Sequence, residues 1–182
     1  MDDLTQLSDL VKRRNSVACD ITALIGRPAQ LGHIGEYVAS TIFPIVLEQC
    51  AAHKGSDGRF SDAPLKGRTV NIKWYSMREG LLDINPDALP DYYLVLTGPQ
   101  SAAISSRGRV RPWIIEAVFL FDTHNLVPQL EALGVRIGIA SSVRQQFWEQ
   151  AEIYPNQSSA KLMVSEKQRK QLRLFNANSL GG

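Results

Sequence analysis

Glu36, Asp57, Asn71 and Lys73 are the residues whose types and spacing could do chemistry. Asn71 and Lys73 lie two apart in the alternating run Val70-Asn71-Ile72-Lys73-Trp74. A strand there turns both side chains to one face, about 7 Å apart. The turn signal Ser56-Asp57-Gly58 comes just before, and a hairpin would carry Asp57 beside them. An Asp oxygen, an amide oxygen and the intervening backbone carbonyl of Ile72 are hard ligands suited to Mg²⁺ or Mn²⁺. Lys73 would then face a water on that metal, orienting it or stabilising charge that grows on a phosphoryl group. The chemistry open to such a set is phosphodiester hydrolysis, with Glu36 as a further metal or water contact. Structural roles are open to the same residues. Asp57 before Gly58 suits any tight turn, Lys73 could form a surface ion pair with Asp57 or Asp62, and Glu36 could be an acid receiving hydrogen bonds near a helix start.

Positioning these groups requires particular elements. Leu4, Leu7, Leu10, Val11, Val17, Ile21 and Leu24 recur at helical spacing and stop at Gly26-Arg27-Pro28, which predicts an N-terminal helical segment over 1–27, broken near Asn15-Ser16. A second helix is expected over 30–49, with Leu31, Ile34, Val38, Ile42, Ile45 and Val46 on one stripe. Gly32, Ala39, Ser40 and Phe43 lie opposite, so the helix reads as buried with Glu36 its exception. Turn signals at 54–58 and 65–68 bracket a hairpin, and 69–75 alternates as a strand with one apolar face. The apolar runs 92–97 and 113–121 read as central strands covered on both faces. A helix capped at Asp122 or Thr123 and ending at Gly134, followed by a strand over 135–140, completes a β-α-β passage. Ser142 with Gln145 and Ser165 with Gln168 match capping boxes, predicting helices over 143–153 and 166–175, and 179–182 should fray. The expected architecture is a single α/β domain over 1–182, with its core at 28–155 and a C-terminal basic helix and tail at 156–182.

The residues resemble the PD-(D/E)XK, or restriction-endonuclease-like, nuclease superfamily, whose core runs helix, three-stranded meander, helix, strand. The resemblance covers Gly32-His33-Ile34-Gly35-Glu36, Ser56-Asp57-Gly58, Val70-Asn71-Ile72-Lys73 and 92–97, about a third of the chain. It implies a three-layer α/β/α fold around a central mixed sheet. It also implies a metal-dependent endonuclease acting on DNA, with Asp57 and Asn71 as ligands, Lys73 assisting the nucleophile and Glu36 completing the site. Asn71 departs from the family pattern, which has a carboxylate there; an amide offers an oxygen without negative charge, and that places turnover in question more than fold.

Arg107, Arg109 and Arg111 alternate around Gly108 in a loop that could grip phosphates, and Lys167, Arg169, Lys170 and Arg173 make the last helix basic. With 20 Lys and Arg against 18 Asp and Glu, the overall charge favours no partner by itself. The three histidines lack metal-ligand spacing, and phosphate loops, nucleophile elbows and Cys-His pairs are absent, which argues against NTPase and serine- or cysteine-hydrolase chemistry. Trp74, Trp113 and Trp148 fit core packing. Two unpaired cysteines suit a reducing cytoplasm, and no apolar run is long enough for a membrane span. The leading expectation is therefore a nuclease of a restriction, defence or repair system. The alternatives are an inactive nucleic-acid-binding or assembly module and a protein-binding domain. A homodimer would fit double-strand cleavage.

Overall fold

The computed structural model describes residues 2–48, 55–101 and 111–177. Helix α1 (Asp3–Ile25) runs unbroken through Asn15-Ser16, because no glycine or proline interrupts it. The Asp2 carboxylate accepts the Thr5 amide at 2.8 Å at its start, and Gly26 ends it at φ 70°. Helix α2 (Leu31–Ile42) stops well before residue 49. Pro44 disfavours helical geometry at Phe43, and Ile45, Val46 and Leu47 turn into strand β1 (Ile45–Leu47). There follow β2 (Gly58–Phe60), β3 (Thr69–Tyr75), the two-residue β4 (Leu81–Leu82), β5 (Tyr92–Thr97), β6 (Ala117–Asp122), α3 (Thr123–Ala132), β7 (Ser141–Ser142), α4 (Gln145–Ala151), β8 (Glu152–Tyr154) and α5 (Glu166–Arg173).

Among the described residues six strands form one mixed sheet in the order β1-β2-β3-β5-β6-β8, antiparallel throughout except for the parallel pair β3–β5. Strand alternation sends Val70, Ile72, Trp74, Leu94 and Leu96 into one core with Val38, Ala39 and Ile42 of α2 and Leu172 of α5. The opposite core takes Tyr93, Val95, Phe119 and Phe121 together with Leu126 and Leu130 of α3 and Phe147 and Trp148 of α4. Helices thus cover both faces of a mixed α/β sheet, as the sequence leads one to expect. Among the described residues no helix is long and apolar enough to cross a membrane.

Several expectations are corrected. The run 113–121 becomes a ladder strand only from Ala117, and Trp113 is half-exposed. Residues 135–140 form no strand; Ala140 takes a positive φ of 57°, and Val135 and Ile137 pack onto the second core from irregular chain. The β-α-β passage ends in β7, which pairs with β4 in a separate two-stranded sheet. Ser142 lies in β7 and caps nothing, so α4 starts at Gln145, and Ile153 belongs to β8. The second capping box is present: Ser165 Oγ accepts the Gln168 amide, and Gln168 Oε1 accepts the Ser165 amide at 2.8 Å. The segment 76–91 that joins β3 to β5 contains no helix, only β4. Residues 179–182 lie outside the described residues.

Leu172 is fully buried and ties α5 to the core beneath α2. Leu172→Ala is expected to cost about 2–5 kcal/mol by lost transfer energy and cavity formation, read as a lower midpoint in urea denaturation followed by circular dichroism.

Candidate metal and phosphate site

Strand β3 carries different surfaces on its two faces. Val70, Ile72 and Trp74 are buried, whereas Asn71, Lys73 and Tyr75 are only partly covered. Asp91 anchors its start. The Asp91 carboxylate accepts the Thr69 amide and hydroxyl, both at 2.8 Å, and the Arg68 guanidinium at 3.2 Å, while the Asp91 amide donates back to Thr69 Oγ1 at 2.7 Å. Burial pushes the Asp91 carboxyl pKa up, but the hydrogen bonds from Thr69 and Arg68 outweigh it and hold the group below the usual carboxylate range.

Asp57 sits where β2 and β3 part. Their ladder pairs only Gly58 with Val70 and Arg59 with Thr69. Next to it the Asp57 amide donates to the Val70 carbonyl at 2.9 Å, and Asp57 Oδ2 accepts the Ile72 amide at 2.7 Å. The carboxylate thus replaces the strand partner that Ile72 has lost. A strand residue directs its N–H and C=O to the same side, so the Ile72 carbonyl also faces this gap. Gly58 lets β2 pair closely with β1, because a Cβ there would lie 2.5 Å from the Val46 carbonyl oxygen.

Helix α2 brings Glu36. Gly35 lets the helix lie close on β3, since a Cβ would fall 3.1 Å from that of Trp74. The Glu36 carboxylate is largely covered and accepts a hydrogen bond from Arg27, which follows the α1 cap. Electrostatics tie the group together. Burial pushes the Asp57 carboxyl pKa up, the Ile72 amide opposes this, Glu36 adds to it, and Lys73 and Arg27 pull it down. Lys73 itself has no ion-pair partner among the described residues, so neither pairing open to it in the sequence, with Asp57 or Asp62, is formed.

Among the described residues the buried Asn71 side-chain oxygen has no hydrogen-bond partner. Such an acceptor costs about 1–3 kcal/mol unless something supplies the missing contact. Across the ladder from Asn71 stands Tyr93, whose phenol pKa is raised chiefly by burial and further by the charges of Asp57 and Asp83. The Asp83 and Asn85 amides donate to the Tyr75 and Tyr93 hydroxyls at 3.0 and 3.3 Å, laying the 81–88 segment over this face. The segment also abuts the Asp57 turn, for a Cβ on Gly55 would meet the Ala88 carbonyl oxygen at 1.9 Å. Arg27, Tyr93 and Asp83 therefore belong to the surroundings of the site although no sequence signal marks them. Arg27 looks like a helix-end cation, and Tyr93 is one member of an apolar run.

The structure brings Glu36, Asp57 and Lys73 into one electrostatic neighbourhood and sets the unpartnered Asn71 oxygen on the same strand. Oxygen donors suited to a hard cation are present in Asp57, Asn71 and the Ile72 carbonyl. Among the described residues, however, no three His, Cys, Asp or Glu side chains gather as a metal-binding group, and Glu36 is engaged by Arg27. Arg107 and Arg109 lie outside the described residues. Arg111 is not an uncommitted phosphate contact, because it pairs with Glu79 at 2.7 Å.

Opposite pH signatures follow for the two acids. The depressed Asp91 pKa contributes stability above the unfolded value of about 3.9, which is lost as pH falls through the folded pKa. Asp91→Asn is therefore expected to cost about 1.5–3 kcal/mol at pH 7 by weakening charged hydrogen bonds, with the gap from wild type shrinking in denaturation below pH 4. The raised Asp57 pKa has the reverse sign: ionisation opposes folding, and stability falls as pH rises through it. Asp57→Asn keeps an acceptor for Ile72 and is expected to raise Tm at pH 7, with the gain vanishing in acid. Comparison with family models and with curated proteins finds no match to this chain, so the reading of the site rests on the side chains themselves.

Proposed function

We propose that this chain is a divalent-metal-dependent endonuclease of the restriction-endonuclease-like type, hydrolysing phosphodiester bonds in DNA. One observation carries the reading. At the point where β2 and β3 diverge, a desolvated Asp57 carboxylate, an unpartnered Asn71 oxygen and the Ile72 carbonyl adjoin an unpaired Lys73, with Glu36 in the same field. Helix α2, the meander β1-β2-β3 and a parallel β5 between helical layers support the fold assignment, while the helix-free 76–91 connection departs from it.

Asp57, Asn71 and Ile72 would hold Mg²⁺ or Mn²⁺, with Glu36 as a further contact once released from Arg27. When bound, the metal supplies a lowered pKa for water and neutralises phosphate oxygens. Lys73 orients the attacking water and stabilises charge on the phosphoryl oxygens. Arg27 keeps Glu36 from repelling Asp57 without reserve in the free protein. A protein of this kind would serve restriction, defence or repair in the cytoplasm. The Arg27–Glu36 pair and the amide at position 71 favour a second reading, in which the same fold binds nucleic acid or assembles with other components without turnover.

The test is cleavage of plasmid and single-stranded DNA with Mg²⁺ or Mn²⁺. Activity that is abolished by chelator and reduced at least a hundredfold in folded Lys73→Ala and Asp57→Ala supports the enzyme. Inactivity on all substrates, without Mn²⁺ binding by calorimetry, points to the binding module, whose affinity for DNA would fall steeply with salt. Mn²⁺ is also expected to raise the Tm of wild type and not of Asp57→Asn, because a cation relieves the ionised Asp57 and gains nothing from a neutral amide.

A further inference from the structure

Helix α1 is 23 residues long and buries none of its side chains. Most helical stability in proteins comes from packing of an apolar face rather than from propensity, so a helix of that length, about 35 Å, calls for something to cover that face. Six of its large apolar side chains are exposed, from Val11 at 46% to Leu4 at 76%. Their exposed surface is on the order of 600 Å², at the upper end of what a monomer presents and close to the ~800 Å² that each partner buries in a standard interface.

The pattern along the helix names the occupant. With Leu4 as position a of a heptad, Leu7, Val11, Ala18, Ile21 and Ile25 fall at a and d, and Leu10, Val17 and Leu24 at the neighbouring g. Asp9, Lys12, Arg13 and Asp20 all fall at b, c or f, so the stripe carries charge only at Arg14 and, in the first turn, at Asp3. From Leu7 to Ile25 the a and d positions of the stripe are also self-complementary. About Ser16, Leu7 and Val11 reflect onto Ile25 and Ile21, and Arg14 reflects onto the small Ala18. Val17 sits beside that centre, borders a groove of about 260 Å³ with Ile21, Ala29 and the half-exposed Trp113, and would meet its own equivalent across a two-fold axis.

We infer that α1 is a homodimerisation helix, pairing antiparallel with α1 of a second copy of this chain. Leu7 packs on Ile25, Val11 on Ile21 and Arg14 over Ala18 of the second copy, with the two Val17 side chains flanking the axis. A two-fold axis requires such a self-complementary patch, and antiparallel pairing sets the two globular bodies at opposite ends of the helix pair. The inference stands apart from the nuclease reading, since it uses no residue of the site.

Sedimentation equilibrium of the full chain tests it. Wild type is expected to show twice the monomer mass, and Leu10→Asp/Val17→Asp the monomer mass with an unchanged far-ultraviolet melting transition of the core. In a background with Cys19→Ser and Cys50→Ser, Val17→Cys is expected to form an intermolecular disulfide on mild oxidation, while Val11→Cys stays reduced. A monomeric wild type at 100 µM (about a hundredfold above a typical micromolar Kd), a dimer that survives the double substitution, or cross-linking through Val11→Cys in place of Val17→Cys would overturn the proposal.

Discussion

The parallel pairing of β3 with β5 is the constraint on which the remainder of this structure depends. Two parallel neighbours cannot be joined by a hairpin, so the chain must leave the end of β3 and return to the start of β5. Here it does so without a helix, and the returning segment lies across the face that bears Asn71, Lys73 and Tyr75. Asp91 closes the return by binding the amide and hydroxyl of Thr69, which fixes Val70 opposite Tyr92 and every pair beyond it. Because 81–88 is then held on the Tyr75 and Tyr93 hydroxyls, Ala88 reaches Gly55 and the Asp57 turn is backed by protein.

Desolvation of the Asp57 turn creates the electrostatic situation at the site. A carboxylate partly removed from water and placed near a second one is unfavourable unless cations approach. Lys73 and Arg27 supply part of that compensation, and Arg27 is bonded to Glu36. A fold optimised for stability alone would exchange such a group for an apolar or amide side chain, and the buried unpaired oxygen of Asn71 adds to the same deficit. Local destabilisation gathered at one strand divergence is what a ligand-binding site requires, because the ligand then provides the missing contacts.

Helix α1 poses the opposite problem, with no deficit of charge compensation but an excess of uncovered apolar surface. Its cap at Gly26 lies one residue from Arg27, so the helix and the site meet at the Arg27–Glu36 ion pair. No α1 side chain belongs to either core, which leaves that helix available for association.

Local chemistry decided the elements that the sequence showed on its own. The period-two pattern of 69–75, the caps at Asp122 and Ser165 and the stop at Gly26 are effects of neighbouring residues, and all are present in the structure. Glu36 and Lys73 could be singled out because a polar residue in an apolar element is visible in one dimension, and Asp57 because it stands in a turn signal just before that strand. Misread elements were those where a stronger local rule or a distant partner prevailed. Pro44 ended α2 and made Ile45 and Val46 a strand, and 135–140 stayed irregular because its apolar residues pack without finding a ladder partner. Only the tertiary structure placed Arg27 on Glu36, the Ile72 amide on Asp57 and Arg111 on Glu79. Each of these contacts joins residues that are far apart in sequence or lie on separate elements, and their geometry exists only once β3 lies between its neighbours and α2 rests on Trp74.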